Sequence, residues 1–94
     1  MQNIKELIKA STTSVLDVRS PMEFAIEHIP GAKNIPLNEL SFRLDEIKEF
    51  TKPIVVYCLS GGRSSIAVGI LQQAGFTDVF NGGGISTMKQ FLYN

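Results

Sequence analysis

Residues 54–70 read IVVYCLSGGRSSIAVGI, and the organisation of the chain follows from this stretch. Its first part, Ile54 to Tyr57, is an unbroken β-branched and aromatic run, the pattern of a strand buried on both faces of a parallel sheet. Beyond the glycines, Ile66, Ala67, Ile70, Leu71 and Ala74 recur at helical spacing, and Gly75 is placed to cap the helix they form. Between strand and helix stands Cys58, the only cysteine of the chain. Ligands of open α/β sheets bind beyond the carboxyl ends of the strands, so this position favours a chemical role for the thiol over inert packing.

Working outward, Ser14 to Val18 (SVLDV) reads as a short strand, and Ser20, Pro21 and Glu23 form a capping box with proline at the first helical position. That helix must end before IPGAKNIP, whose two prolines and glycine impose an extended or turning path. Asn3 can cap an earlier helix with Ile4, Leu7 and Ile8 on one face. In residues 37–50, Leu37, Leu40, Leu44, Ile47 and Phe50 are spaced for one or two short helices, and the charges between them predict a solvated face. The chain closes with a strand (DVF), a turn (NGGG) and a helix (ISTMKQFL). Strands alternating with helices throughout predict one α/β domain, residues 1–94, with a mainly parallel sheet.

Composition narrows the function. The 94 residues are 44% hydrophobic and 19% charged, the proportions of an ordinary globule. Nine Lys and Arg balance nine Asp and Glu, which argues against bulk electrostatic binding to nucleic acid or an anionic membrane. The apolar runs are too short to span a bilayer, and MQNIKELIKAS, with Glu6 among alternating polar and apolar residues, does not read as a signal peptide. One cysteine makes no internal disulfide, and with one histidine it makes no structural zinc site. A thiol that must stay free suits the reducing cytoplasm.

The segment CLSGGRSS has the means to stabilise an anion. Gly61 and Gly62 let the chain curl tightly, inward-pointing N–H groups of such a curl form an anion nest, and the following helix adds its unpaired amides. Ser64 or Ser65 can cap that helix. Arg63 is the only charged residue from Pro53 to Thr77, which suits its guanidinium to grip an oxyanion. In such surroundings a thiolate can have a pKa as low as about 3.5–7.5. The competing readings are an inert buried thiol for Cys58, a surface salt bridge for Arg63 and a solvent-exposed turn residue for Ser60. The glycine–arginine–serine turn directly behind Cys58 weighs against the first.

YCLSGGRSS resembles the active-site loop of single-domain rhodaneses, the rhodanese-like sulfurtransferases, and VLDVRSPMEFAIEHIPGAKNIPL and GFTDVFNGGG match that family's other signatures in the same order. The resemblance implies a rhodanese-like α/β fold, a five-stranded mainly parallel sheet with helices on both faces. It implies that Cys58 takes up a sulfane sulfur as a persulfide, that Arg63 closes the loop, and that Leu59, Ser60, Gly61 and Gly62 cradle the sulfur through their amides. Together with Ser64 these residues are the expected substrate-binding set. Asp17 and Arg19 match the family's DVR and are expected to brace the loop, with a local ion pair as the alternative. His28 matches the histidine of HIPGA and is expected to be structural. Related phosphatases have one residue more between cysteine and arginine, so the shorter loop points to a terminal sulfur rather than a phosphoryl group.

The implied activity is thiosulfate sulfurtransferase: sulfur moves from a small anionic donor to cyanide, a thiol or a protein cysteine such as that of thioredoxin or a sulfur carrier. No metal or organic cofactor is called for. A non-catalytic binding or persulfide-sensing module is the main alternative, and retention of both Cys58 and Arg63 counts against it. A phosphatase or arsenate reductase is disfavoured by loop length, and a redox switch by the lack of a resolving cysteine. The chain departs from the family in having no tryptophan; Ile85, Met88, Phe91 and Leu92 are expected to fill the corresponding core.

Overall fold

The structure is a computed structural model and describes residues 3–93. Helix α1 (Ile4–Lys9) starts at Asn3, whose side chain accepts a hydrogen bond from the Glu6 amide. Strand β1 (Ser14–Asp17) leads to α2 (Pro21–Ile26), where Ser20 and Glu23 form the reciprocal capping box with Pro21 in the first turn. The two-residue strand β2 (Lys33–Asn34) follows, then a 3₁₀ helix (Leu37–Phe42) and α3 (Leu44–Lys48), two short helices where the apolar spacing allowed one or two. Arg43 sits between Glu39 and Glu46 on their exposed side, as expected of a solvated charged face. Strand β3 (Ile54–Cys58) is buried at every residue and runs into α4 (Gly62–Gln73). Gly75, at φ +102°, ends α4 in a Schellman turn, with Phe76 N–H donating to Leu71 and Gly75 N–H to Gln72.

All strand pairs are parallel, in the order β2-β1-β3-β4. Four strands are present among the described residues where the family resemblance implied five. The described N-terminal segment is committed to the Asn3-capped helix, and β2 is reduced to two residues between the HIPGA turn and Pro36. Alternate residues of β3 face opposite cores. Ile54, Val56 and Cys58 join Leu16, Val18, Ile35, Leu40, Ile47, Ala67 and Leu71 under α4 and the short helices. Val55 and Tyr57 join Ile8, Ile29, Ile85 and Met88 under α1 and α5 (Ile85–Tyr93). Phe91 and Leu92 pack against the second core, so these aliphatic and aromatic residues fill it without tryptophan.

The last strand differs from expectation. Asn81–Gly84 is not a turn but the last four residues of β4 (Val79–Gly84), which pairs with β3 as far as Cys58 opposite Gly84. Its register shifts by a residue between Val56 and Tyr57, a bulge that Gly83 accommodates at φ +85°. The lack of side chains is what allows pairing so close to the loop: a Cβ on Gly84 would lie 2.5 Å from the Leu59 carbonyl oxygen.

Candidate active site

The sequence places Cys58 on the last residue of β3, and the fold holds it there 1% exposed. The chain then turns back over the sulfur. The Gly61 amide donates to Cys58 Sγ at 3.0 Å and the Ser64 amide at 3.4 Å, while Ser64 Oγ lies 3.5 Å away. Burial pushes the thiol up. The contact with Ser64 and the amides of Ser64, Gly61 and Ser60 outweigh that cost, leaving the thiol below its ordinary value. A sulfur anion is therefore met here by donors fixed before any ligand arrives.

Of the two glycines, only Gly61 has a conformation closed to other residues. It is the N-cap of α4 at φ +102°. Gly62 is the first helical residue, is exposed, and has open space where a Cβ would go, so the expectation that both glycines serve forbidden backbone angles holds for Gly61 alone. Neither serine caps the helix, because Gly61 occupies that position and makes no side-chain bond. Ser64 lies inside the first turn, fully buried, and its hydroxyl donates toward Asn81 Oδ1 at 2.7 Å and Gly61 O at 3.1 Å. Ser65 is exposed. Leu59 is 57% exposed beside the loop, and Ser60 also faces solvent.

Arg63 has no acidic neighbour in sequence but has one in space. Its Nη1 and Nη2 meet the two oxygens of Glu23 at 2.8 and 3.1 Å, forty residues away in the chain. This two-pronged bond, aided by the Ser20 amide, draws the Glu23 carboxyl down to about 2. Glu23 thus does more than the capping box from which its role was read: it ties α2 to the start of α4. Asn81 is the other residue that the sequence reading missed. Its Oδ1 accepts from Ser64 Oγ and from the Gly83 amide at 2.9 Å, and its Nδ2 donates to Gly61 O at 3.4 Å. Adjacent to three glycines, Asn81 carried only the signal of a turn residue.

Asp17 and Arg19 form a buried two-pronged ion pair, 0% and 4% exposed, with Arg19 Nη2 to Asp17 Oδ2 at 2.7 Å. Arg19 also donates to the Glu27 carbonyl, and its guanidinium lies 5.6 Å from the centre of the Tyr57 ring. Burial, with Asp17 close by, pushes the Tyr57 hydroxyl above its ordinary value; that hydroxyl accepts the Ile29 amide at 3.0 Å. Of the two readings of the pair, the structure shows the ion pair. It is an ion pair at a strand end, and its link to the loop is indirect, through Tyr57 before Cys58 and through the end of α2. His28 stacks on Phe24 and its Nδ1 bonds the Phe24 carbonyl at 2.8 Å, a structural position.

A cleft of about 360 Å³ lies against the arginine, lined by Val18, Pro36, Leu37 and Asn38 as well as Ser20 and Arg63. Its lining comes from the segments that follow β1, β2 and β3, at the carboxyl end of the sheet, where the connections from β1 and β3 leave in opposite directions.

The family model for the rhodanese-like domain matches residues 1–89. Thiosulfate sulfurtransferase PspE of Escherichia coli is 39% identical over 71 residues, covering 74% of this chain and 68% of that protein. The uncharacterized protein YqhL of Bacillus subtilis is 43% identical over 67 residues; the match covers 71% of this chain and spans about half, 52%, of that protein's length. Among solved structures, an E. coli rhodanese with anions superposes with a TM-score of 0.73 at 37% identity, covering 80% of this chain and 89% of that one.

Proposed function

The chain belongs to the rhodanese-like domain family, and from that membership we propose that it is a sulfurtransferase which carries a sulfane sulfur on Cys58. The observation supporting this most directly is a buried sulfur at a strand end with the Gly61 and Ser64 amides already aimed at it. The Cys58 thiolate attacks the outer sulfur of thiosulfate; the bond between the two donor sulfurs breaks and sulfite leaves with the electron pair. The terminal sulfur of the persulfide takes the negative charge, in reach of the loop amides of Leu59 to Gly62 and of Ser64. A thiolate or cyanide then attacks that terminal sulfur and regenerates the Cys58 thiolate. The enzyme alternates between two forms, so its kinetics are ping-pong.

In this reading Arg63 acts together with Glu23, closing the loop and bordering the donor cleft. Asp17 and Arg19 hold the strand end behind it. The acceptor is a small thiol or an exposed protein cysteine, such as that of thioredoxin or a sulfur carrier, and the setting is the cytoplasm. No helix among the described residues is long and apolar enough to cross a membrane. The experiment is the intact mass after brief exposure to thiosulfate, with and without cyanide. The expected result is a gain of one sulfur atom that cyanide removes and that Cys58→Ser abolishes while remaining folded. A folded wild type that takes up no sulfur would favour the binding-module reading instead.

A further inference from the structure

Arg63 is the cation from which a loop of this kind would be expected to draw anionic substrates, yet its charge is already matched. Both terminal nitrogens face Glu23, at 2.8 and 3.1 Å. The carboxylate is not free to swing away, because Oε1 also accepts the Ser20 amide at 3.0 Å and the Ser20 hydroxyl at 3.1 Å. The pair is only partly exposed, 37% for Arg63 and 31% for Glu23, so water screens it incompletely. The remaining walls of the adjoining cleft are uncharged: Val18, Pro36, Leu37 and Asn38. A donor approaching there meets hydrogen-bonding edges and apolar surface but little net positive charge.

We propose that Glu23 is a specificity-determining residue, which by neutralising Arg63 turns the site away from dianionic donors and toward singly charged donors with a carbon body. The inference rests on the sulfur-transfer reading and gives it a substrate class. Thiosulfate and an aryl thiosulfonate undergo the same step: the Cys58 thiolate takes the terminal sulfur, and sulfite or an aryl sulfinate leaves with the electron pair. They differ in bearing two negative charges or one. Selectivity between them therefore reports the charge at the mouth.

Glu23→Gln is the informative variant. Glutamine at that position still completes a capping box, while the negative charge is removed. Two ratios are measured in low salt, for the wild type, Glu23→Gln and Glu23→Ala. One is the kcat/KM for thiosulfate over that for benzenethiosulfonate. The other needs no sulfur transfer: the rate of Cys58 alkylation by anionic iodoacetate over that by neutral iodoacetamide, in which the thiolate fraction cancels. Both ratios are expected to rise about three- to tenfold in Glu23→Gln, the scale of one incompletely screened charge contact, and to fall back with added salt. Glu23→Ala should match them despite its lost cap. An alkylation ratio unchanged in Glu23→Gln, or raised only in Glu23→Ala, overturns the inference. A raised alkylation ratio in a protein that takes sulfur from neither donor overturns the sulfur-transfer reading and leaves the charge selectivity standing.

Discussion

Cys58 depends on a side chain it does not touch. Asn81 Oδ1 accepts hydrogen bonds from the Ser64 hydroxyl at 2.7 Å and from the Gly83 amide, and its Nδ2 donates to Gly61 O, so the groups around the sulfur are held in place from the neighbouring strand. Asn81→Asp preserves the acceptor of Ser64 but adds a negative charge and loses the donor to Gly61. The Cys58 pKa should rise, and the pH at which alkylation by iodoacetamide is half-maximal should rise with it. Because the native thiol is depressed, the unfolded chain binds the extra proton between the two pKa values, and stability increases with pH through that window. The variant should narrow the window. The thiol and its loop were legible in the sequence because their donors lie within seven consecutive residues, 58–64. Asn81 was not, since nothing local distinguishes an asparagine in a glycine turn from one that reaches a serine in the next element.

Between elements, the site is a junction of α2, β3, α4 and β4, and its seams make separate predictions. Gly61→Ala puts a side chain at φ +102° and should cost about 1–2 kcal/mol, with slower sulfur loading. Gly84→Ala forces a Cβ toward the Leu59 carbonyl and should displace the loop, lowering both stability and loading. Gly62→Ala meets open space in a helical position and should be neutral or mildly stabilising by denaturant midpoint, which separates the three glycines of one region. At the α2–α4 seam, Glu23 has its carboxyl held at about 2 against an ordinary 4.5. The unfolded chain therefore takes up a proton first, and stability should fall as pH drops from about 4.5 toward 2; in Glu23→Gln that acid slope should shrink. The capping box was readable because it spans four residues, Ser20 to Glu23. Its second bond, to Arg63, joins elements far apart in the chain, and a local pattern does not encode it. The same limit turned NGGG into a turn: Gly82 and Gly84 there serve close packing against Val55, Met88 and Leu59, which is visible only once β3 and α5 are in place.

For the whole molecule, the alternation of strand and helix was enough to give the parallel α/β fold, because a strand apolar at every position needs cover on both faces, and only flanking helices supply it. Strand number was less legible: a pairing as short as Lys33–Asn34 depends on its neighbour β1 and leaves no periodicity to read. The buried Asp17–Arg19 pair stands at the end of that neighbour. Asp17→Asn leaves the guanidinium buried without its countercharge and should cost about 3–5 kcal/mol in a denaturant titration, with the slope unchanged. Replacing both partners with apolar residues should cost less. Finally, β4 supplies Asn81 and Gly84 to a loop that precedes it in the chain. During synthesis Cys58 emerges from the ribosome before Asn81, and until β4 docks beside β3 the thiol has the reactivity of any cysteine in an open chain. A nascent chain thus lacks the depressed thiol, and alkylation that sets in at a lower pH than in the unfolded chain marks a molecule that has finished folding.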